Sequence, residues 1–153
     1  MKTTGSISPA EMKKIRSSVI GVLNKYRFYK FLTFEEREAS ITASYERREG
    51  SRSNKTSDQT GSIAAHNIDT QAERRSYCER VERSVASLPS KERFLIQERY
   101  MSRDSEYITD YSVYCHRFDP PISPVTYSKI RERAMYNLAL MLGLTKGDAD
   151  ADS

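Results

Sequence analysis

The chain of 153 residues has no tryptophan, only two cysteines and two histidines, and six glycines. Cys78 and Cys115 lie far apart without framework spacing, so we expect free thiols in a reducing compartment. His116 follows Cys115, but this pair lacks the further ligands and the spacing of a zinc site, and no metal is expected. No glycine-rich phosphate loop is present, which argues against nucleotide hydrolysis. The sequence therefore predicts neither an enzyme nor a bound cofactor.

Apolar residues are scarce as well. Hydrophobic residues make up 37% of the chain, whereas typical domains use about 45–50% apolar residues. No apolar run approaches the roughly 20 residues of a membrane-spanning helix, so we expect no membrane partner. Residues 1–9 are short and polar, and we expect no signal peptide there. These absences favour a cytoplasmic protein, only part of which is tightly packed.

Positive charge is concentrated in the N-terminal part of the sequence. The whole chain carries a net charge of +4, yet residues 1–32 contain seven Lys or Arg and one acid, a net of +6. The simpler interpretation is a solvated face over a packed stripe, and the alternative is an accessory surface for nucleic acid. That accessory surface would consist of Lys13, Lys14, Arg16, Lys25, Arg27 and Lys30.

The same stretch predicts an amphipathic helix. Ser8 is placed as an N-cap, Pro9 at the first helical position and Glu11 as the partner of a capping box. Apolar residues then recur at alternating spacings of three and four, which predicts a helix of about five turns. These residues are Met12, Ile15, Val19, Val22, Tyr26 and Tyr29. The stripe can pack on the rest of the chain or pair with its own copy in a homodimer.

Composition predicts where the chain divides. Residues 47–62 contain no aliphatic side chain and cannot bury enough apolar area to offset their ordering entropy. We therefore predict an N-terminal basic helical segment at 1–46, a flexible polar linker at 47–64, a helical domain at 65–145 and a disordered acidic tail at 146–153.

Helical signals run through the predicted domain at 65–145, and no segment alternates with period two. A stripe predicts a first helix that ends at Pro89, followed by a second helix capped by Ser90. The residues of that stripe are Ile68, Ala72, Cys78, Val81, Val85 and Leu88. A third helical segment carries Tyr107, Ile108, Tyr111 and Tyr114, and we expect these tyrosines at the rim of the core. The fold class is therefore all-α.

The last helix is expected to be the longest uninterrupted one. Ser123 and Pro124 give a cap and a first-turn proline, the helix spans Val125 to Leu142, and Gly143 ends it. Wheel positions predict a core face of Tyr127, Ile130, Ala134, Leu138 and Met141. Val125, Ser128, Lys129, Glu132 and Arg133 fall on the opposite side. A short aromatic helix, a break and a capped helix together have the shape of a helix-turn-helix.

Two resemblances add to this interpretation. The stretch from Leu88-Pro89-Ser90-Lys91-Glu92-Arg93 to Leu142 resembles region 4 of bacterial sigma factors, in which a Leu-Pro pair precedes an Arg-bearing helix. The whole chain resembles the ArpU family of phage transcriptional regulators. The shared features are Lys25-Tyr26-Arg27-Phe28-Tyr29, Glu98-Arg99-Tyr100-Met101, Ile122-Ser123-Pro124-Val125-Thr126-Tyr127, and an ending with Ala134, Leu138-Ala139 and Leu142-Gly143-Leu144.

The resemblance implies a regulator of late phage genes for packaging, structural proteins and lysis. Its partners would be double-stranded DNA of a late promoter region and host RNA polymerase. By the sigma-type pattern, the base-contacting positions map onto Pro124, Val125, Ser128 and Lys129. Phosphate contacts are expected from Ser123, Thr126, Arg131 and Arg133.

Two other functions stay open at the level of sequence. The domain at 65–145 would also suit a protein that grips RNA polymerase and has little DNA specificity of its own. A small subunit of a packaging terminase likewise pairs a helix-turn-helix with helical assembly segments. Formation of a ring of many subunits in solution would favour the terminase subunit. The sequence does not distinguish activation from repression of transcription.

Overall fold

A computed structural model describes residues 7–46 and 58–145, and within these ranges the chain is helical with no strand. The predicted all-α class is confirmed. The α-helices are α1 (Pro9–Glu46), α2 (Asp58–Ala86), α3 (Ser90–Ile96), α4 (Asp110–Ser112) and α5 (Pro124–Met141). The helices α3 and α4 each continue into a π-helical turn, at Gln97–Met101 and Val113–Arg117, and a 3₁₀ turn spans Ser105–Tyr107.

The chain forms two compact units, and their division differs from the predicted one. The first unit combines Met1–Arg27 with Val81–Ser153, and the second is Phe28–Arg80. The boundaries fall inside α1 and α2 rather than at the linker predicted for 47–64. The helix α2 begins at Asp58, inside that predicted linker, and residues 47–57 lie outside the described residues, as does the tail predicted at 146–153.

The start of α1 confirms the predicted capping box. The Ser8 N–H donates to Glu11 Oε2 at 3.1 Å, and the Glu11 N–H donates to Ser8 Oγ at 3.2 Å. These bonds satisfy two N–H groups that the first turn of a helix leaves without partners. At 38 residues, α1 is far longer than the predicted five turns.

The first turns of α1 pack into the core of the first unit. Val19, Leu23 and Tyr26 are buried there, together with Val81, Val85 and Leu88 of the α2 segment. Leu23 is fully buried, whereas the predicted stripe residue Val22 is only half-buried. The Tyr26 hydroxyl donates to Glu82 Oε1 at 2.8 Å and ties the two helices together.

The second unit has its own aromatic contact. The rings of Tyr29 and Tyr77 meet edge to face with centroids 5.3 Å apart, and Cys78 beside them is buried. Burial raises the pKa of Tyr77, and the neighbouring Tyr29 adds to this. Ala72, predicted to lie on the apolar stripe, is exposed.

Two local predictions for the segment from 89 to 123 are corrected by the structure. Pro89, not Ser90, is the N-cap of α3, because its carbonyl accepts the bond from the Arg93 N–H at 2.8 Å. Tyr107 and Tyr111 are 85% and 60% exposed, so they do not form a core rim, and only Tyr114 is half-buried. The α4 segment instead begins with a capping box between Thr109 and Ser112, which the sequence analysis missed.

The ends of α5 are formed as predicted. The Ser123 hydroxyl accepts from the Thr126 N–H at 3.2 Å, and Pro124 occupies the first turn. Gly143 has a φ of 73°, a left-handed conformation in which glycine avoids the steric penalty of a Cβ atom. The Leu144 N–H then donates to Ala139 O at 2.8 Å and closes the helix end. However, α5 has 18 residues and is shorter than both α1 and α2.

The core face of α5 is wider than predicted. Tyr127, Ala134 and Leu138 are buried as expected, but Ile130 is half-buried and Met141 is exposed. Met135 and Ala139 are fully buried instead. The helix α5 contacts neighbouring elements on several sides. A single stripe on a helical wheel therefore underestimates the width of its buried face.

Replacing Ser123 with alanine is expected to destabilise the first unit by about 1 kcal/mol, because the Thr126 N–H loses its acceptor. Urea unfolding followed by circular dichroism measures this change. Serine-to-alanine replacement at exposed Ser90, which makes no capping bond, is the matched control. Equal losses for the two variants would contradict the assigned cap.

Candidate nucleic-acid interface

The first two turns of α5 present the residues predicted to contact bases. Val125 is 64% exposed, Pro124 and Lys129 are exposed, and Ser128 is half-buried. One surface of α5 therefore carries the apolar side chain of Val125 and, four positions later, the ammonium group of Lys129. This is the side opposite to Tyr127, whose ring is buried.

The predicted phosphate contacts are divided by the structure. Ser123, Thr126 and Arg133 are exposed. The Ser123 hydroxyl also donates to Thr126 Oγ1 at 2.9 Å, so the two hydroxyls form one small cluster at the helix start. Arg131, in contrast, points into the unit, and its Nη1 donates to Asp110 Oδ2 at 3.1 Å. Arg131 is therefore engaged inside the first unit and does not lie on the surface with Arg133.

Asp110 joins three elements of the first unit. Its Oδ1 accepts from the Tyr127 hydroxyl at 2.7 Å and from Arg99 Nε at 2.9 Å, while Oδ2 accepts from Arg131. Arg99 belongs to the π-helical turn after α3, and Tyr127 and Arg131 belong to α5. We call these four residues the Asp110 hub. It holds the early turns of α5 against the α4 segment and the α3 segment.

The charges of the Asp110 hub perturb its ionisable groups. Burial alone would raise the pKa of Asp110, but hydrogen bonds from Tyr127 and Arg99 and the charges of Arg99 and Arg131 outweigh it and lower that pKa. Burial raises the pKa of Tyr127, and its bond to the Asp110 carboxylate raises it further. The hydroxyl is therefore a permanent donor, and the carboxylate a permanent acceptor, near neutral pH.

One ion pair connects α1 with α5 within the first unit. Arg16 Nη2 approaches Glu132 Oε1 at 3.8 Å, two turns after the start of α5. Lys13 and Lys14, about one turn earlier on α1, are exposed. Arg16 therefore pairs with the third turn of α5, and Pro124, Val125 and Lys129 in the first two turns stay exposed.

The remaining accessory residues also separate into two groups. Arg27 donates from Nη1 to the Tyr100 carbonyl and to Ser105 Oγ, and burial lowers its pKa. Lys25 and Lys30 are exposed, and Lys30 belongs to the second unit. Both arginines predicted for the accessory surface have contacts within the first unit, and the four predicted lysines are exposed residues.

Comparison of the chain with protein-family models, with curated proteins and with solved structures finds no match in any of the three.

No helix within the described ranges is long and apolar enough to cross a membrane. Among the same residues, no group of three or more His, Cys, Asp or Glu side chains gathers to hold a metal ion. Neither cysteine forms a disulfide bond, and Cys78 is buried while Cys115 is half-buried.

A groove in the first unit was missed by the sequence analysis. It has a volume of about 490 Å³ and lies between the start of α3 and the turn after the α4 segment. The rings of Phe94 and Phe118 meet edge to face in its wall at 4.8 Å, and Arg117 pairs there with Glu98 at 2.7 Å. Lys91 and Arg93 also line the groove. The sequence predicts only a break between two helices at Phe118-Asp119-Pro120-Pro121.

The Asp110 hub was also missed. Asp110 and Arg99 are separated from Tyr127 by more than ten residues, and no local spacing connects them. The only available signal was the polar Thr109-Asp110 pair before an aromatic run, which resembles a cap. Such a pattern predicts a helix start, but it does not predict which distant donors the carboxylate will meet.

Proposed function

We propose that this chain is a sequence-specific, double-stranded DNA-binding regulator of late phage genes for packaging, structural proteins and lysis. The observation that carries the proposal is the start of α5, where Pro124, Val125 and Lys129 are exposed while the opposite face is held by the Asp110 hub. We further propose that α4, its π-helical turn and α5 act as a helix-turn-helix. The likeness to the ArpU family, in the segments quoted above, supports the late-gene assignment.

In this proposal α5 enters the major groove with its first two turns. Lys129 donates to O6 and N7 at a guanine edge, Val125 packs on a thymine methyl group, and Ser128 bonds to a base or a phosphate. Only one of these side chains is charged, so base recognition depends on shape and a single ammonium. Affinity must then come largely from contacts to the backbone.

Backbone contacts are proposed for two groups of residues. Ser123, Thr126 and Arg133 flank the reading turns, and Lys13 and Lys14 extend the positive surface from α1. Each phosphate neutralised by such a side chain releases condensed counterions, so binding weakens as salt rises. Arg131 is no longer assigned to a phosphate, because its guanidinium bonds to Asp110 at 3.1 Å.

Replacing Lys129 with alanine is expected to weaken binding to the preferred site by about 1–3 kcal/mol and to relax preference at one base pair. The measurement is fluorescence anisotropy with a duplex selected from a random pool by the wild-type protein. Arg133→Ala is the matched comparison, since loss of a phosphate contact weakens binding to all duplexes alike. Unchanged affinity after Lys129→Ala would contradict the register assigned to α5.

The groove between α3 and the turn after the α4 segment favours a second candidate function. Its Phe94–Phe118 wall and its basic side chains suit a protein segment with apolar and acidic residues. A polymerase-gripping protein would use this surface and would need little DNA specificity. Binding of purified protein to selected and scrambled duplexes without polymerase separates the two, since equal affinities would favour polymerase gripping.

The regulatory direction that we propose is activation together with host RNA polymerase in the bacterial cytoplasm. A homodimer would place two α5 helices on half-sites about one helical turn of DNA apart. Footprinting on DNA of the phage that encodes the protein tests both points. One protected region of twofold symmetry upstream of a late operon is the expected result.

A further inference from the structure

Two exposed rings lie side by side on the α4 segment, away from the proposed base contacts. Tyr111 is 60% exposed, His116 is exposed, and their ring centroids lie 5.9 Å apart. In a regular α-helix, residues five apart point in directions that differ by about 140°. Here the Phe118 N–H donates to Val113 O at 3.0 Å, a π-helical bond that widens the turn and brings the two rings together. Such turns are frequent at functional sites.

The Tyr111 ring is connected to the start of α5. Its centroid is 5.5 Å from that of Tyr114, which in turn lies 5.4 Å from that of Tyr127. The preceding residue, Asp110, accepts the Tyr127 hydroxyl bond at 2.7 Å. Tyr111 therefore lies at an exposed edge of the α4 segment, two ring contacts from the first turn of α5, and the Asp110 hub fixes this position.

Local charge decides which class of partner this edge suits. The single carboxylate of Asp110 is matched by two guanidinium groups, of Arg99 at 2.9 Å and of Arg131 at 3.1 Å, so the hub has one excess positive charge. Tyr107 is even more exposed, but Asp104 and Glu106 beside it in the chain are exposed acids. The excess positive charge of the hub attracts a polyanion, whereas the acids beside Tyr107 provide no such excess.

We propose that Tyr111, supported by His116, contacts the sugar–phosphate backbone of the duplex that α5 reads. This inference rests on the proposed function and adds an anchoring contact to it. The Tyr111 side chain is 60% exposed, so its hydroxyl can donate a hydrogen bond to a phosphate oxygen. The helix before a recognition helix crosses the DNA backbone, which is where a tyrosine hydroxyl makes such bonds.

The test compares Tyr111→Phe with Tyr107→Phe in the full chain. Each variant is titrated by fluorescence anisotropy against the selected duplex and a scrambled duplex of equal length, over a series of salt concentrations. Tyr111→Phe should weaken binding to both duplexes by about 3–10-fold, the range of one hydrogen bond to a charged group after partial compensation by water. The salt slope should stay unchanged, because a neutral hydroxyl releases no counterion. Tyr107→Phe should bind as the wild type does.

Three outcomes would overturn the inference. Wild-type affinity of Tyr111→Phe would remove the contact, loss on the selected duplex alone would make Tyr111 a base-reading residue, and an equal loss in Tyr107→Phe would remove the selectivity. If the wild-type protein binds neither duplex, the proposed function itself fails and the inference with it.

Equal unfolding midpoints of Tyr111→Phe and wild type exclude a folding defect, since the ring contacts remain. His116→Ala should shift affinity in the same direction, by about twofold, because it removes only the supporting ring.

Discussion

Replacement of Leu138 with alanine is expected to destabilise the first unit by about 2–5 kcal/mol. Leu138 is fully buried in the last turns of α5, in a core that also contains Leu95, Ile96 and Met135. Removing its branched end takes apolar atoms out of contact and leaves a cavity that the surrounding helices refill only in part. Urea unfolding followed by circular dichroism at 222 nm reports the change as a lower midpoint.

Leu140 provides a matched control for this variant. It lies two residues further along the same helix and is half exposed. Leu140→Ala removes the same atoms as Leu138→Ala and makes the same change in intrinsic helix propensity. It should nevertheless change the free energy of unfolding by no more than about 0.5 kcal/mol. Equal destabilisation by the two variants would show that the assigned face of α5 is wrong.

Replacement of Asp110 with alanine is expected to destabilise the first unit by about 2–3 kcal/mol. Three donors, from Tyr127, Arg99 and Arg131, lose their acceptor at once. A hydrogen bond to a charged group contributes about 1.5–3 kcal/mol when it is buried, but the Asp110 side chain is 39% exposed. Water therefore replaces part of what is lost, and the expected total is smaller than the sum of three bonds.

The control for Asp110→Ala is Asp104→Ala, which removes an exposed carboxylate from the same unit and should change the free energy of unfolding by less than about 0.5 kcal/mol. The pH dependence gives a second measurement. Because the pKa of Asp110 is lower in the folded state, its stabilisation is fully present above the ordinary carboxyl pKa of about 3.9. It is lost as the pH falls through the lower folded pKa. Wild type should therefore lose more stability than Asp110→Ala on acidification, and parallel curves would contradict the role of the Asp110 hub.

The Asp110 hub also links stability to the proposed recognition of DNA. It connects the α4 segment, which carries Tyr111, with the turn of α5 that precedes Lys129. Loss of Asp110 would free Arg131 and allow α5 to shift relative to the α4 segment. Base contacts need side chains held within fractions of an ångström, so affinity for the selected duplex should fall more than affinity for the scrambled one.

Charge along the sequence gave only part of the information about charge on the surface. Residues 1–32 hold a net charge of +6, but Arg16 and Arg27 are taken up by Glu132, Tyr100 and Ser105 within the first unit. Lysines and arginines count equally in such a sum. Arginine, however, offers several directional donors and is more readily buried beside carbonyl and carboxylate groups. Between residues 9 and 32 of α1, the exposed basic residues are therefore lysines.

The sequence by itself determined the helical class of this protein, the start of α1 and both ends of α5. The capping box of Ser8 and Glu11, the Ser123–Pro124 start and the Gly143 end are all formed as predicted. These features depend on residues within one or two turns of each other. Short-range hydrogen bonds and backbone sterics are sufficient to specify them.

Only the tertiary structure decided how those helices are used. It divided the chain inside α1 and α2, chose Leu23 over Val22 for the core, and turned Arg131 from the predicted DNA surface toward Asp110. Each of these outcomes depends on contacts between residues far apart in sequence, and an amphipathic pattern does not specify which neighbour will cover a face or pair with a charge. For the same reason, the edge formed by Tyr111 and His116 became visible only once the π-helical turn had aligned the two rings.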